Sequence, residues 1–320
     1  MARGDDTVNQ VPMASETYAP ARPRMLARLT AAEHYDIRIA YLLLLPSVLY
    51  LLAMSVYPMV FSLWLAFRNY LIYRPDLSSF AGMGNFLDLF HNEVFWQSLQ
   101  VTLKFSAIAV TLEFILGLAV AVLLDRQMRG MGVLRTLLVI PVLVSPVAMG
   151  LTFRYMYAPS YGLINYLLSL AGLPRLDWIV STTWALPAVI VVDVWQWTPF
   201  VVLILLSGIQ SVPVDVIEAS ELDGLSRWQH LWRIIMPMIR PVVLVVLLIR
   251  LIDSIRGFDL IYILTRGGPS TATYLLSIHS YVKGFTEGDM GSAAAIAWIT
   301  VVLVNILAVL FLRLLARGKA

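Results

Sequence analysis

The chain has 320 residues, of which 59% are hydrophobic and only 13% charged, and its mean hydropathy is +0.79. A soluble domain carries about 25% charged residues, so this composition excludes a protein that faces water on all sides and places the apolar residues against lipid. There is no cysteine, which excludes thiol catalysis, thiolate metal sites and disulfides, and the net charge of +3 comes without the aromatic-interleaved basic run of a nucleic-acid surface.

Residues 1–37 read as a polar cytoplasmic tail carrying Pro12, Pro20 and Pro23. The apolar run that follows is far too long for the core of a signal peptide and is expected to remain as a membrane helix. Windowed hydropathy predicts six spans, at roughly 39–67, 98–124, 136–157, 185–208, 241–264 and 292–312. Pro46 and Pro58 interrupt the first, which neighbouring helices tolerate in a bilayer. Six spans place both termini on one side. With the termini inside, the inner segments hold fourteen basic residues, in the tail (Arg3, Arg22, Arg24, Arg28, Arg38), the first inner loop (Arg126, Arg129, Arg135), the second (Arg227, Arg233, Arg240) and the C-terminal end (Arg313, Arg317, Lys319). The outer segments hold five, Arg68, Arg74, Arg175, Arg266 and Lys283. The positive-inside rule therefore puts both termini in the cytoplasm.

The outer loops carry their own signals. Phe86, Leu89, Phe90 and Trp96 among Asp88, His91 and Glu93 predict an amphipathic helix lying in the interface. Arg266-Gly267-Gly268-Pro269 is a turn signal that ends the fifth span.

The longest inner loop, 209–240, is the most informative. Pro213 suits a first helical position, and Asp215 and Glu218 follow in the first turns, where the helix dipole favours negative charge. Gly224 interrupts the pattern. A second helical stretch carries Arg227, Trp228, His230, Leu231, Trp232 and Arg233, and Pro237 closes it. The expected structure is a helix–bend–helix on the membrane face, acidic in its first half, basic and aromatic in its second. A simple tether needs no such order; a docking surface for another protein does.

At this loop the sequence resembles a known family. Glu218-Ala219-Ser220, then Asp223-Gly224, then Ile234-Ile235-Met236-Pro237 resemble the signature loop of binding-protein-dependent ABC permeases, with Glu-Ala-Ala, a Gly four residues after the last Ala, and a terminal Ile-x-Leu-Pro. Ser220 replaces the second Ala and Met236 the Leu, both mild changes. Trp195-Gln196-Trp197-Thr198-Pro199-Phe200, Phe258-Asp259-Leu260-Ile261-Tyr262 with Thr265-Arg266-Gly267-Gly268-Pro269, and Gly82-Met83-Gly84-Asn85-Phe86 are similar to stretches of the maltose/glycerol-3-phosphate type of carbohydrate permease. The similarity covers about 39–312 and is nearer the shorter trehalose- and glycerol-phosphate-type members.

The resemblance implies an all-α membrane protein of six transmembrane helices, the transmembrane domain of a type I ABC importer, occupying 38–320 in the bacterial inner membrane. It implies that Glu218, Ala219, Ser220, Asp223, Gly224, Ile234 and Pro237 couple to an ATPase subunit. The implied partners are a second homologous permease, two copies of that ATPase and an extracytoplasmic solute-binding protein. The chain itself has no phosphate-cradling loop: its one Gly-Lys pair, Gly318-Lys319, is not followed by Ser or Thr. No cofactor is expected on it, with ATP and magnesium on the partner ATPase, and no enzymatic activity.

Charges inside the bilayer cost about 2.5–3.5 kcal/mol each on insertion scales, so each needs a reason. Asp193, Gln196, Trp197 and Phe200 share one helix face of the fourth span, and Arg250, Asp253, Ser254 and Gly257 repeat that spacing in the fifth. Carboxylates and amides suit sugar hydroxyls, and aromatic rings suit the apolar face of a pyranose. These stretches also match the helices that contact substrate in maltose-type relatives. A purely structural reading stays open, in which Arg250 and Asp253 form an i,i+3 ion pair or pair across a subunit interface. Lys104 and Glu113 are nine residues apart, on opposite helix faces, and are not expected to pair. The expected function is import of a neutral saccharide or polyol. Glycerol-3-phosphate or another phosphorylated polyol is the alternative, and a proton- or sodium-coupled secondary transporter the alternative of another class. A membrane enzyme would want a catalytic cluster at one depth, and His34, His91, His230 and His279 all fall outside the spans.

Overall fold

The computed structural model describes residues 39–125 and 131–316. The 1–37 tail and Arg38, Arg126, Arg129, Arg317 and Lys319 lie outside those residues. The chain divides into two compact units, Met1–Val60 and Phe61–Ala320. In the first, the described residues are a single apolar helical stretch that belongs to α1, Ile39–Ala66. A five-residue π-turn, Leu52–Val56, ends two residues before Pro58. Proline supplies no N–H and crowds the carbonyl four residues back, and a widened turn is one way a helix passes it.

The second unit holds, after the end of α1, something the all-α expectation lacked. Arg68–Leu71 (β1) and Arg74–Phe80 (β2) pair as an antiparallel hairpin, with Arg68 opposite Phe80. Side chains hold it: Arg68 Nε donates to Ser78 Oγ at 3.1 Å, and Asn85 Nδ2 donates to the carbonyls of Ala66 and Arg68, each at 2.9 Å. The expected interfacial helix is also two pieces. Helix α2, Gly84–His91, stops at Asn92, whose side chain accepts from Val94 N and Phe95 N and so caps α3, Glu93–Leu124. Trp96 therefore belongs to α3 and reaches back to donate to the Phe90 carbonyl at 2.8 Å.

Helix α3 packs along α7, Ala185–Gln210. Gly117 makes this possible: a Cβ there would stand 2.7 Å from Val201 Cγ1, so a larger residue would push the two helices apart. Along α7, Ala188, Val189, Ile190, Val192 and Val194 belong to one buried apolar cluster, and Val201, Val202, Leu205, Leu206 and Ile209 to a second.

Two expected spans are broken. The 136–157 stretch forms α4, Met131–Leu143, and α5, Pro146–Met156, which meet at 92°. The residue before a proline avoids helical backbone, and Ser145 before Pro146 is extended, at ψ 134°. After α6, Leu163–Leu170, and α7, the loop folds as α8, Val214–Leu222, and α9, Arg227–Met238. Helix α10, Arg240–Ile255, follows at 74° to α9. The expected fifth span, 241–264, is not one helix. Its 16-residue α10 is about 24 Å long at 1.5 Å per residue. It stops at Arg256 and Gly257, and α11, Asp259–Thr265, begins anew after Phe258. Arg266, in left-handed backbone at φ 53°, ends α11, as the turn signal predicted. Helix α12, Leu276–Tyr281, runs into a π-turn, Val282–Thr286, and α13 spans Met290–Ala316. Among the described residues, four helices are long and apolar enough to cross a bilayer, and up to six spans result if each bent pair counts as one.

Candidate functional site

Three long helices bring their intramembrane charges to one point. Arg250, from α10, is 1% exposed and lies between α3 and α7. Its Nε donates to Glu113 Oε2 at 2.6 Å and its Nη2 to Glu113 Oε1 at 2.8 Å, a two-pronged pair with a carboxylate that is fully buried. The same Nη2 donates to Asp193 Oδ2 at 3.3 Å. Asp253, the i,i+3 neighbour, stands 4.0 Å from Nη1 with its side chain about half exposed. The structural reading of Arg250 as an ion-paired residue is thus right in kind, but its main partner is Glu113, from another helix.

Trp197 completes the arrangement, its ring centroid 4.6 Å from Arg250 Cζ, a cation–π contact. Gln196 is 1% exposed and donates through Nε2 to the Val144 carbonyl at 3.0 Å, in the break between α4 and α5. Its Oε1 is buried without a hydrogen-bond partner. These groups open onto a cavity of about 340 Å³. Seven of the eight expected substrate-pathway residues line it: Asp193, Gln196, Trp197, Arg250, Asp253, Ser254 and Gly257. Phe200 does not. It packs among the second apolar cluster, edge-on to Trp197 at 6.3 Å. Arg256 and Asp259, at the break after α10, add a further charge of each sign.

Glu113 is not among the expected site residues. Its own span sets it only against Lys104, and the two do lie apart, Lys104 exposed and Glu113 buried. A signal exists all the same: a carboxylate within an apolar span needs a cation, and Arg250 lies in another span. Among the described residues no group of three or more His, Asp or Glu converges as metal ligands would.

The 209–240 loop has the expected helix–bend–helix form. Pro213 lies one position before the helix, its carbonyl accepting from Val216 N and Ile217 N. Gly224 takes φ 71°, left-handed backbone that any side chain would strain. Ser226 then opens α9 with a reciprocal capping box to Gln229. Ser220, at the position where the resembling motif has Ala, is buried, and its Oγ lies 2.6 Å from His230 Nδ1, tying α8 to α9 across the glycine. Glu218, Ala219, Asp223 and Pro237 are exposed and Ile234 half-buried. Leu231, Ile235 and Ile239 anchor the loop in the apolar cluster of α7. The same loop leaves large apolar side chains in the open, the most exposed being Leu222 at 90% and Trp228 at 68%.

Residues 114–320 match the family described as binding-protein-dependent transport system inner membrane component. Over 281 residues the chain is 36% identical to the trehalose/maltose transport system permease protein MalF of Thermococcus litoralis, covering 88% of this chain and 95% of that one. It is 35% identical over 268 residues to the trehalose transport system permease protein SugA of Mycobacterium tuberculosis, covering 83% of this chain and 86% of that one. Its fold matches, at a TM-score of 0.79 and 25% identity, a chain of a bacterial ABC transporter involved in the import of the acidic polysaccharide alginate, covering 91% of this chain and 99% of that one.

Proposed function

This chain belongs to the inner membrane components of binding-protein-dependent ABC transport systems, and on that premise we propose that it is the permease subunit of an ATP-driven importer for a neutral saccharide or polyol. It works in the bacterial inner membrane as six spans with both termini cytoplasmic. Its 38–320 region forms the permease, preceded by a cytoplasmic tail. It pairs with a second homologous permease, two copies of a separate ATPase chain and an extracytoplasmic solute-binding protein. The trehalose and maltose named for its relatives support a sugar.

The observation that carries the neutral class is the engagement of Arg250. A phosphate-binding site offers a guanidinium fork to the ligand. Here Glu113 already takes two of its bonds and Asp193 a third contact. Acceptors and the single ring of Trp197 then dominate the cavity wall, with Asp193, Asp253 and Asp259 outnumbering Arg250 and Arg256. Such a wall accepts hydrogen bonds from sugar hydroxyls and repels anions. Trp197 offers one ring face only, because Arg250 covers the other. Arg256, exposed beside the same cavity, is the feature that favours the alternative of a phosphorylated polyol.

Coupling runs through the loop of α8 and α9. Its exposed Glu218, Leu222 and Trp228 dock on the ATPase, and its buried Leu231, Ile235 and Ile239 transmit the motion to α7 and α10. The test is reconstitution of the whole complex in proteoliposomes. Uptake of labelled disaccharide should require ATP, the ATPase and the binding protein together. Uptake driven by a proton or sodium gradient without the ATPase would contradict the proposal.

A further inference from the structure

The break after α10 that borders the charged cavity also borders a second one. Phe258 directly follows that break and starts a series of four aromatic rings carried by three pieces of chain. It stacks on Tyr262, with centroids 5.0 Å apart and planes at 15°. Tyr281, from α12, lies 5.1 Å from Phe258 and 5.0 Å from Tyr262. Phe285, in the π-turn after α12, stacks on Tyr281 at 5.3 Å and 29°.

Phe258 and Tyr262 pack on one side against the buried apolar core, and a cluster that served packing alone would be sealed. This one is not: Phe258, Tyr262 and Tyr281 are half-buried and Phe285 is 65% exposed. Phe258, Tyr281 and Phe285 line a cavity of about 380 Å³ together with Ser277 and Ser280, within the roughly 300–1,000 Å³ of small-molecule sites. Ser277 donates to the Gly257 carbonyl at 2.6 Å and Ser280 to the Ala293 carbonyl at 3.0 Å. Each hydroxyl proton is thereby used, and the oxygen keeps lone pairs for an outside donor. The Ser277 bond also joins this cavity to Gly257, which lines the charged one.

Three rings along one cavity, Phe258, Tyr281 and Phe285, with hydroxyl acceptors beside them, match the two sides of a pyranose: C–H bonds against the rings and hydroxyls toward the oxygens. Several similar weak contacts in series also suit conduction, since a ligand must leave each as readily as it arrives. We propose that Phe258, Tyr281 and Phe285, backed by Tyr262, form a second saccharide subsite, a stacking path that passes the sugar to the cavity beside Arg250. This inference rests on the sugar-permease reading above.

The test uses the intact complex with its ATPase and binding protein. Phe285→Ala removes an exposed ring without opening a core, and Phe285→Tyr keeps the ring. The alanine variant should raise the apparent KM for disaccharide uptake about three- to tenfold, the loss of one stacked face. Tyr281→Ala should move it the same way, while Phe285→Tyr and Tyr281→Phe stay near the unmodified complex. The concentration of binding protein that half-maximally stimulates ATP hydrolysis should not move. An unchanged KM in both alanine variants, in a system whose unmodified complex takes up the sugar, overturns the subsite and leaves the permease reading standing. A shift in the binding-protein titration instead makes the rings a protein-docking contact and also overturns it. If the unmodified complex takes up no saccharide, the subsite falls together with the reading it rests on.

Discussion

Glu113→Gln tests the account of the buried charges at their centre. Arg250 and Glu113 are 1% and 0% exposed, joined by bonds of 2.6 and 2.8 Å. Removing one partner of a buried pair costs about 3–5 kcal/mol, because the other charge is left uncompensated. The amide keeps the shape and one acceptor, and Asp193 still holds Nη2, so the lower end, about 3 kcal/mol, is expected. Asp193→Asn loses one longer contact, 3.3 Å, from a side chain 10% exposed, and should cost about 1–2 kcal/mol. Replacing the pair together with its third contact, Glu113→Leu, Arg250→Met and Asp193→Asn, leaves no buried charge unpaired and should recover most of the loss. Equilibrium unfolding of the purified chain in mixed micelles of rising denaturing detergent, followed by circular dichroism, would give all three values. The reasoning fails if Glu113→Gln costs no more than Asp193→Asn, or if the triple replacement costs the sum of its single changes.

Three further outcomes are expected. Trp197→Ala should weaken uptake about tenfold through the lost ring face, Trp197→Phe much less, with ATPase assembly unchanged in both; equal effects would remove stacking from the mechanism. Glu218→Ala and Gly224→Pro should leave the chain in the membrane and abolish substrate-stimulated ATP hydrolysis, since proline cannot adopt the φ of 71° at that bend; normal stimulation would take the loop out of coupling. His279, between the expected fifth and sixth spans, is pushed down to about 4 by burial first and by Lys283 second. It is ordinarily near 6.5 when unfolded, so the unfolded chain binds the proton first as pH falls. Its contribution is therefore intact above about pH 6.5 and lost as pH falls toward 4. The thermal stability of His279→Gln should be flatter with pH in that window, and parallel profiles would contradict the assignment.

Much of this is legible in the residues, for identifiable reasons. The bend of the 209–240 loop follows from Gly224 and the flanking helix signals, all local. The grouping of Asp193, Gln196 and Trp197 follows from helical periodicity alone. Phe200 shares that periodicity but lies one turn further along, where the wall of the cavity has ended. Periodicity within its own span cannot place Glu113, because its partner is 137 residues away and only the packing of α3 on α7 and α10 brings them together. The breaks at Ser145 and Gly257 read as continuous spans because hydropathy averages over a window and does not register one extended residue. The hairpin of β1 and β2 escapes the sequence for a similar reason, since its order comes from Arg68 and Asn85 side chains bonding distant backbone.

The central claim is that Arg250 is neutralised within its own chain, so that the cavity admits neutral sugars and rejects anions. Uptake by the reconstituted complex of a neutral disaccharide against its 6-phosphate and glycerol-3-phosphate, each at saturating binding protein, measures this most directly. The account predicts ATP-dependent accumulation of the neutral sugar and little of either phosphate. Accumulation of a phosphorylated compound at a comparable rate, lost in Arg250→Met or Arg256→Met, would contradict it.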